Sequence, residues 1–165
     1  MPPIRVVVAE DHFEYREMLC EQLRVAPDLD VIGDAQDGWE AITAVGRLKP
    51  DVLTLDLDLP GMSGLDVLRV TRWHCPDTKV IIISGHDEES IVQEALREGA
   101  RGYIVKGDGT DLEKAIKVVH EGEVWVRRRV LTAVIDELSR PAELTFPATA
   151  AERAPARVQG GLETL

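Results

Sequence analysis

No apolar run in this chain approaches the roughly 20 residues that a membrane-spanning helix needs. The opening MPPIRVVVAED also lacks the charged start and long apolar stretch of a signal peptide. Cysteine is scarce. Cys20 and Cys75 stand far apart and outside any CxxC or Cys/His ligand spacing, so two free thiols are expected rather than a disulfide or a zinc site. Positive charge is also short: 19 Lys and Arg against 30 Asp and Glu leave a net charge of -11. Such a chain would work against its own field in neutralising nucleic-acid phosphates, so any DNA contact is expected to come from elsewhere. There is no Ser-His-Asp pattern, P-loop or GxGxxG loop. What is present, 44% hydrophobic and 30% charged residues, describes an ordinary globular protein, expected to be cytoplasmic. A length of 165 residues allows one domain with a core plus an extension or tail.

Five short runs rich in β-branched residues recur at even spacing: IRVVVA (4–9), DVIGDA (30–35), DVLTLD (51–56), KVIIIS (79–84) and GYIVK (102–106). Between them apolar residues fall at helical spacing, as in Phe13, Met18, Leu19 and Leu23, or Leu112, Ala115, Ile116 and Val119. Five strict βα repeats predict an α/β domain over 1–122, a doubly wound parallel sheet covered by helices on both faces. Gly46 with Pro50, Pro60-Gly61 and Glu98-Gly99 supply the breaks. Within 123–140, Val130, Leu131, Val134, Ile135 and Leu138 predict one extra C-terminal helix at about 127–139. Residues 141–165, rich in Ala, Pro and Gly with no apolar period, read as a flexible linker.

Polar groups collect at the carboxyl ends of the predicted strands: Glu10-Asp11 after the first, Asp56 at the third, Ser84 at the fourth, Lys106 at the fifth. Ligands bind outside those ends in open parallel sheets, where strand order reverses, so residues scattered over a hundred positions should converge. Singly, each has a plain structural explanation, such as a helix cap or a solvated ammonium. Together, three carboxylates, a hydroxyl and an ammonium suit one chemistry. Hard oxygen ligands fit Mg2+, and an Asp beside it can attack phosphorus while a Lys and a hydroxyl neutralise the other oxygens.

The motifs AEDH (9–12), LDLDLPGMSG (55–64), IISGHDE (82–88) and GYIVKGD (102–108) resemble, in order, the receiver domain of two-component response regulators. The resemblance implies a flavodoxin-like (βα)5 fold with strand order 2-1-3-4-5. It implies Asp56 as phosphoacceptor, and Asp11 and Asp56 as direct Mg2+ ligands. Glu10 would reach the metal through water, although the family more often has Asp there, and Asp58 would offer its backbone carbonyl. Ser84 and Lys106 would hold the phosphoryl group, Tyr103 would be the aromatic switch, and Asp58 and His86 would modulate phosphate lifetime. Gly107 stands where many receivers have Pro, so the usual cis-proline turn is not expected. HEGEVWV (120–126), the extra helix and the final GGLETL are similar to receivers that precede a LuxR-type (NarL-type) helix-turn-helix, which is expected to be absent from this chain.

The implied function is a phosphorylation-dependent switch, not an enzyme beyond its own phosphorylation and dephosphorylation. The implied phosphodonor is a sensor histidine kinase or a small acyl phosphate, the readout is a homodimer or a transcriptional output domain, and no membrane or direct nucleic-acid contact is expected. Two rivals remain open: a degenerate receiver acting as a phosphorylation-independent interaction module, and a haloacid-dehalogenase-type phosphatase using Asp56-Leu57-Asp58. The latter places its DxD on the first strand, unlike this chain. Trp39, Trp73 and Trp125 read as packing residues, His12 as a cap or surface residue, and Arg127 to Arg129 as a solvated helix start.

Overall fold

The computed structural model describes residues 1–142; the linker expected at 141–165 lies almost wholly outside the described residues. Five strands, β1 (Ile4–Ala9), β2 (Leu29–Ala35), β3 (Val52–Leu55), β4 (Lys79–Ser84) and β5 (Gly102–Val105), alternate with α1 (Phe13–Arg24), α2 (Gly38–Leu48), α3 (Gly64–His74), α4 (Glu89–Arg97) and α5 (Leu112–His120). A sixth helix, α6 (Arg128–Ser139), follows. All strand pairs are parallel and the sheet order is β2-β1-β3-β4-β5. The chain winds from β1 outward to β2, then returns past β1 to β3, so strand order reverses beside β1.

Alternation along the strands divides the core in two. Val7, Ala9, Leu53, Leu55, Val80 and Ile82 point to one face, against Ala41 and Val45 of α2, Val67 and Leu68 of α3, and Val92 and Ala95 of α4. Val6, Val8, Val52, Ile81 and Ile83 point to the other, against Leu19 and Leu23 of α1 and Ala115, Ile116 and Val119 of α5. The inner strands β1, β3 and β4 read as nearly unbroken apolar runs because they are buried on both sides, whereas the edge strand β2 keeps Asp30 and Asp34 exposed. A side chain such as Leu23 or Ile116, fully removed from water, contributes about 1.5–3 kcal/mol of transfer free energy.

Side-chain caps set several helix starts. Asp37, Ser63 and Asp111 each accept the backbone N–H three residues on. α2 ends at Leu48, between Gly46 and Pro50, the two residues read as its breaks. Lys49 is the left-handed residue, at φ 47°, and the Arg5 guanidinium donates to the carbonyls of Leu48 (2.7 Å) and Lys49 (2.9 Å). Gly61 (φ 78°) and Gly99 (φ 107°) do supply positive φ where Pro60-Gly61 and Glu98-Gly99 were read as breaks.

After α5 the chain returns along the outer edge of β5. The Trp125 amide donates to the Arg101 carbonyl, and the Trp125 carbonyl accepts from the Tyr103 amide, both at 2.9 Å. An edge that would otherwise present unpaired backbone groups is thereby covered. One compact unit extends from Met1 to Leu131 and includes the first turn of α6, where Val130 is buried; the described residues from Thr132 on fall outside it. The packing role expected for all three tryptophans holds only for Trp125. Trp39 is 62% exposed and lies over Gly61, and Trp73 is 84% exposed because it falls outside the Gly64, Val67, Leu68, Thr71 stripe that α3 buries. Phe13 and Met18 are likewise exposed, since α1 turns Arg16, Leu19, Cys20 and Leu23 inward.

Candidate functional site

The carboxyl ends of β1, β3 and β5 open into a cleft of about 620 Å3 whose lining includes Glu10, Asp11, Tyr15, Asp56, Asp58 and Lys106. Glu10 leaves β1 with its amide still bonded to the Ala35 carbonyl and its own carbonyl held by the Arg16 guanidinium at 2.8 Å. Its carboxylate is therefore fixed inward, 1% exposed. Asp56 follows β3. Its amide donates to Ala9 across the β1/β3 junction, and its carboxylate is buried at 3% exposure. Gly64, at the start of α3, lets that helix approach closely: a Cβ there would lie 2.3 Å from the Asp56 carbonyl oxygen.

Lys106 joins the two acids. Its Nζ lies 3.0 Å from Asp56 Oδ2 and 2.9 Å from Glu10 Oε2. Burial works against the ammonium charge, but hydrogen bonds to Glu10 and Asp56 outweigh it and raise the Lys106 pKa. Burial is also the main cause that lifts Glu10 to about 7, with Lys106 pulling against it and Asp56 adding to it.

Glu10, Asp11 and Asp56 each bring a carboxylate oxygen within 4.8 Å of the others. The buried Oε2 of Glu10, though close to the ammonium, takes no hydrogen bond of acceptable geometry and so keeps a lone pair available. Three hard oxygen donors, two buried and one exposed, with an uncommitted lone pair among them, fit a small divalent cation such as Mg2+ that retains some of its waters.

Asp58 does not share this cluster. Its amide donates to Asp56 Oδ1 at 3.0 Å, while its exposed carboxylate turns to His86 Nε2, at 2.8 Å from Oδ2 and 3.1 Å from Oδ1. That hydrogen bond and the charge of Asp58 raise the His86 pKa. Ser84 Oγ, wholly buried at the end of β4, accepts the His86 amide at 3.1 Å. Tyr103 is buried, and its hydroxyl donates to the His86 carbonyl at 2.7 Å. Gly107 follows Lys106 at φ 82°, and no peptide bond among the described residues is cis.

Three contributors were not legible in the sequence. Arg16, 8% exposed, also pairs with Asp34 at 3.3 Å, and a charged residue on the apolar stripe of α1 was its only signal. Tyr15 places its ring 4.7 Å from Lys106 Nζ. Gly64 had no signal beyond being glycine. His12 is the N-cap of α1, its Nδ1 accepting the Tyr15 amide at 3.2 Å.

Residues 6–117 match the response regulator receiver domain family. The transcriptional regulatory protein DegU of Brevibacillus brevis is 35% identical over 138 residues, 83% of this chain and 58% of DegU, so the chain spans little more than half of that relative. Among solved structures, the signal receiver domain of the response regulator NarL from Mycobacterium tuberculosis aligns with a TM-score of 0.71 at 37% identity, over 74% of this chain and all of that one. A LuxR-family two-component response regulator from Aurantimonas aligns with a TM-score of 0.74 at 26% identity, over 82% of this chain and 97% of that one.

Proposed function

Because the chain belongs to the response regulator receiver domain family, we propose that it is a phosphorylation-dependent signalling switch with Asp56 as phosphoacceptor. The observation that carries this reading is the buried Asp56 carboxylate at the β1/β3 junction, 3.0 Å from Lys106 and within ligand distance of Glu10 and Asp11. An Asp56 carboxylate oxygen attacks the phosphorus of a phosphohistidine or a small acyl phosphate. The P–N or P–O bond to the donor breaks, and the leaving group departs with that bond's electron pair, an imidazole taking up a proton as it goes.

Asp11 and Asp56 would hold Mg2+ directly, Glu10 through water and Asp58 through its carbonyl; the cation, when bound, supplies positive charge against the phosphoryl oxygens. Lys106 and the Ser84 hydroxyl meet the transferred group from the β5 and β4 ends. The phosphoryl group carries about -1.5 to -2 charge but replaces the charge of the Asp56 carboxylate, so the cleft gains about one negative charge, now spread over the phosphoryl oxygens. Drawing Ser84 toward that charge strains its hydrogen bond from the His86 amide, and Tyr103, bonded to the His86 carbonyl, lies next in line. The surface of α4 and β5 thereby shifts between two arrangements.

The phosphodonor is read as a sensor histidine kinase, and the output as a homodimer or a transcriptional domain, in keeping with the regulatory role named for DegU. With a net charge of -11, this chain is read as making no direct DNA contact, which would fall to a separate helix-turn-helix domain, and the site of action is read as the cytoplasm. The chain catalyses only its own phosphorylation and dephosphorylation.

Incubation with acetyl phosphate and Mg2+ should add one acid-stable, base-labile phosphoryl group, detected by mass. Asp56→Asn, or removal of Mg2+ with EDTA, should abolish the addition. Release of phosphate from varied monoesters would instead indicate a phosphatase, and no adduct at all an interaction module.

A further inference from the structure

Lys106 must be in place before the phosphoryl group arrives, yet a lysine is a flexible four-carbon stem carrying a compact charge. Two carboxylates hold it, and both are committed elsewhere during the reaction: Asp56 as acceptor and Glu10 toward the cation site. A third contact is not committed. Lys106 Nζ lies over the Tyr15 ring, 4.7 Å from its centroid, well within cation–π range.

Tyr15 is itself anchored. His12 Nδ1 caps the Tyr15 amide at 3.2 Å, and the neighbouring Arg16 holds the Glu10 carbonyl at 2.8 Å, so the first turn of α1 is tied to the loop that carries Glu10 and Asp11. The ring is half-buried against the α1/α5 core and lines the cleft. We propose that Tyr15 is a positioning residue for phosphoryl transfer, its ring face keeping the Lys106 ammonium in the cleft as charge moves from the Asp56 carboxylate onto the phosphoryl oxygens. A carboxylate would tie the ammonium to one direction. A π face attracts it over a broad area, so Lys106 can follow the moving charge without being released to water. The hydroxyl has no part in this, and only the ring is required. This inference rests on the phosphoacceptor reading of Asp56.

The test compares Tyr15→Phe, which keeps the ring, with Tyr15→Leu, which keeps apolar bulk and removes it. Labelling by acetyl phosphate with Mg2+ should slow about fivefold in Tyr15→Leu, and Tyr15→Phe should keep most of the wild-type rate. Urea unfolding of both variants checks that packing is retained. In the unmodified protein, the Lys106 ε-methylene protons should show an upfield ring-current shift by NMR, preserved in Tyr15→Phe and lost in Tyr15→Leu. Wild-type labelling in Tyr15→Leu, equal slowing in Tyr15→Phe, or an unshifted Lys106 methylene in the wild type would each overturn the proposal. If the wild type takes no label while the ring-current shift is present, the phosphoacceptor reading fails and this inference falls with it.

Discussion

At Asp58 the chain separates two carboxylates that strand alternation would have paired. Asp56 stays buried between Lys106 and the Asp58 amide, whereas Asp58 points outward to His86. A buried carboxylate beside an ammonium is placed to act as nucleophile. An exposed one bonded to histidine is placed to influence what approaches. Asp58→Asn should therefore still accept phosphate and change only how long it lasts. A unit charge about 4 Å away is worth about 1 kcal/mol in water. The Asp58 side chain is 65% exposed, so the decay rate of the label should change by no more than about fivefold. Following that decay by mass checks it, and loss of labelling in Asp58→Asn would contradict this division of roles. Asp56, Ser84 and Lys106 were legible because each ends a recognisable strand. Tyr15 and Arg16 were not, because their roles depend on which residues of distant segments they meet.

For single elements, burial on two faces explains why strands were easier to place than helix ends. β1 and β4 have the boundaries their apolar runs predict, while α2, which ends between Gly46 and Pro50 as read, is capped by a left-handed Lys49 that no local pattern announces. A left-handed lysine is held there by Arg5, 44 residues away in sequence, through bonds to the last two carbonyls of the turn. No local pattern encodes that partnership. Arg5→Ala should destabilise the fold, and because these carbonyls are exposed and can be rehydrated, the cost should be near 1 kcal/mol, below the roughly 3 kcal/mol upper range for charged hydrogen bonds. Urea unfolding should show a lower midpoint with an unchanged slope. The β5 edge was also illegible: HEGEVWV reads as a connection, yet Trp125 pairs with Arg101 and Tyr103 to close the sheet.

Over the whole molecule, the excess of negative charge disfavours contact with nucleic acid. A net charge of -11 and the Glu10, Asp11, Asp56 cluster favour a cation, while phosphate backbones would be repelled. Fluorescence anisotropy with labelled duplex DNA near 0.15 M salt should show no binding by this chain, phosphorylated or not; saturable binding would contradict that assignment.

The order of βα repeats, the apolar runs and the motifs at their ends were enough to determine an α/β receiver fold and to nominate Glu10, Asp11, Asp56, Ser84 and Lys106. They suffice because alternation and strand ends are local properties of the chain, and the parallel sheet leaves few ways to arrange them. Only the tertiary structure decided that the Asp58 carboxylate pairs with His86, that Trp39 and Trp73 face outward, and that Tyr15 and Arg16 of α1 brace the site. Those outcomes depend on the direction a side chain takes among groups contributed by other segments, and direction exists only once the strands have been brought side by side.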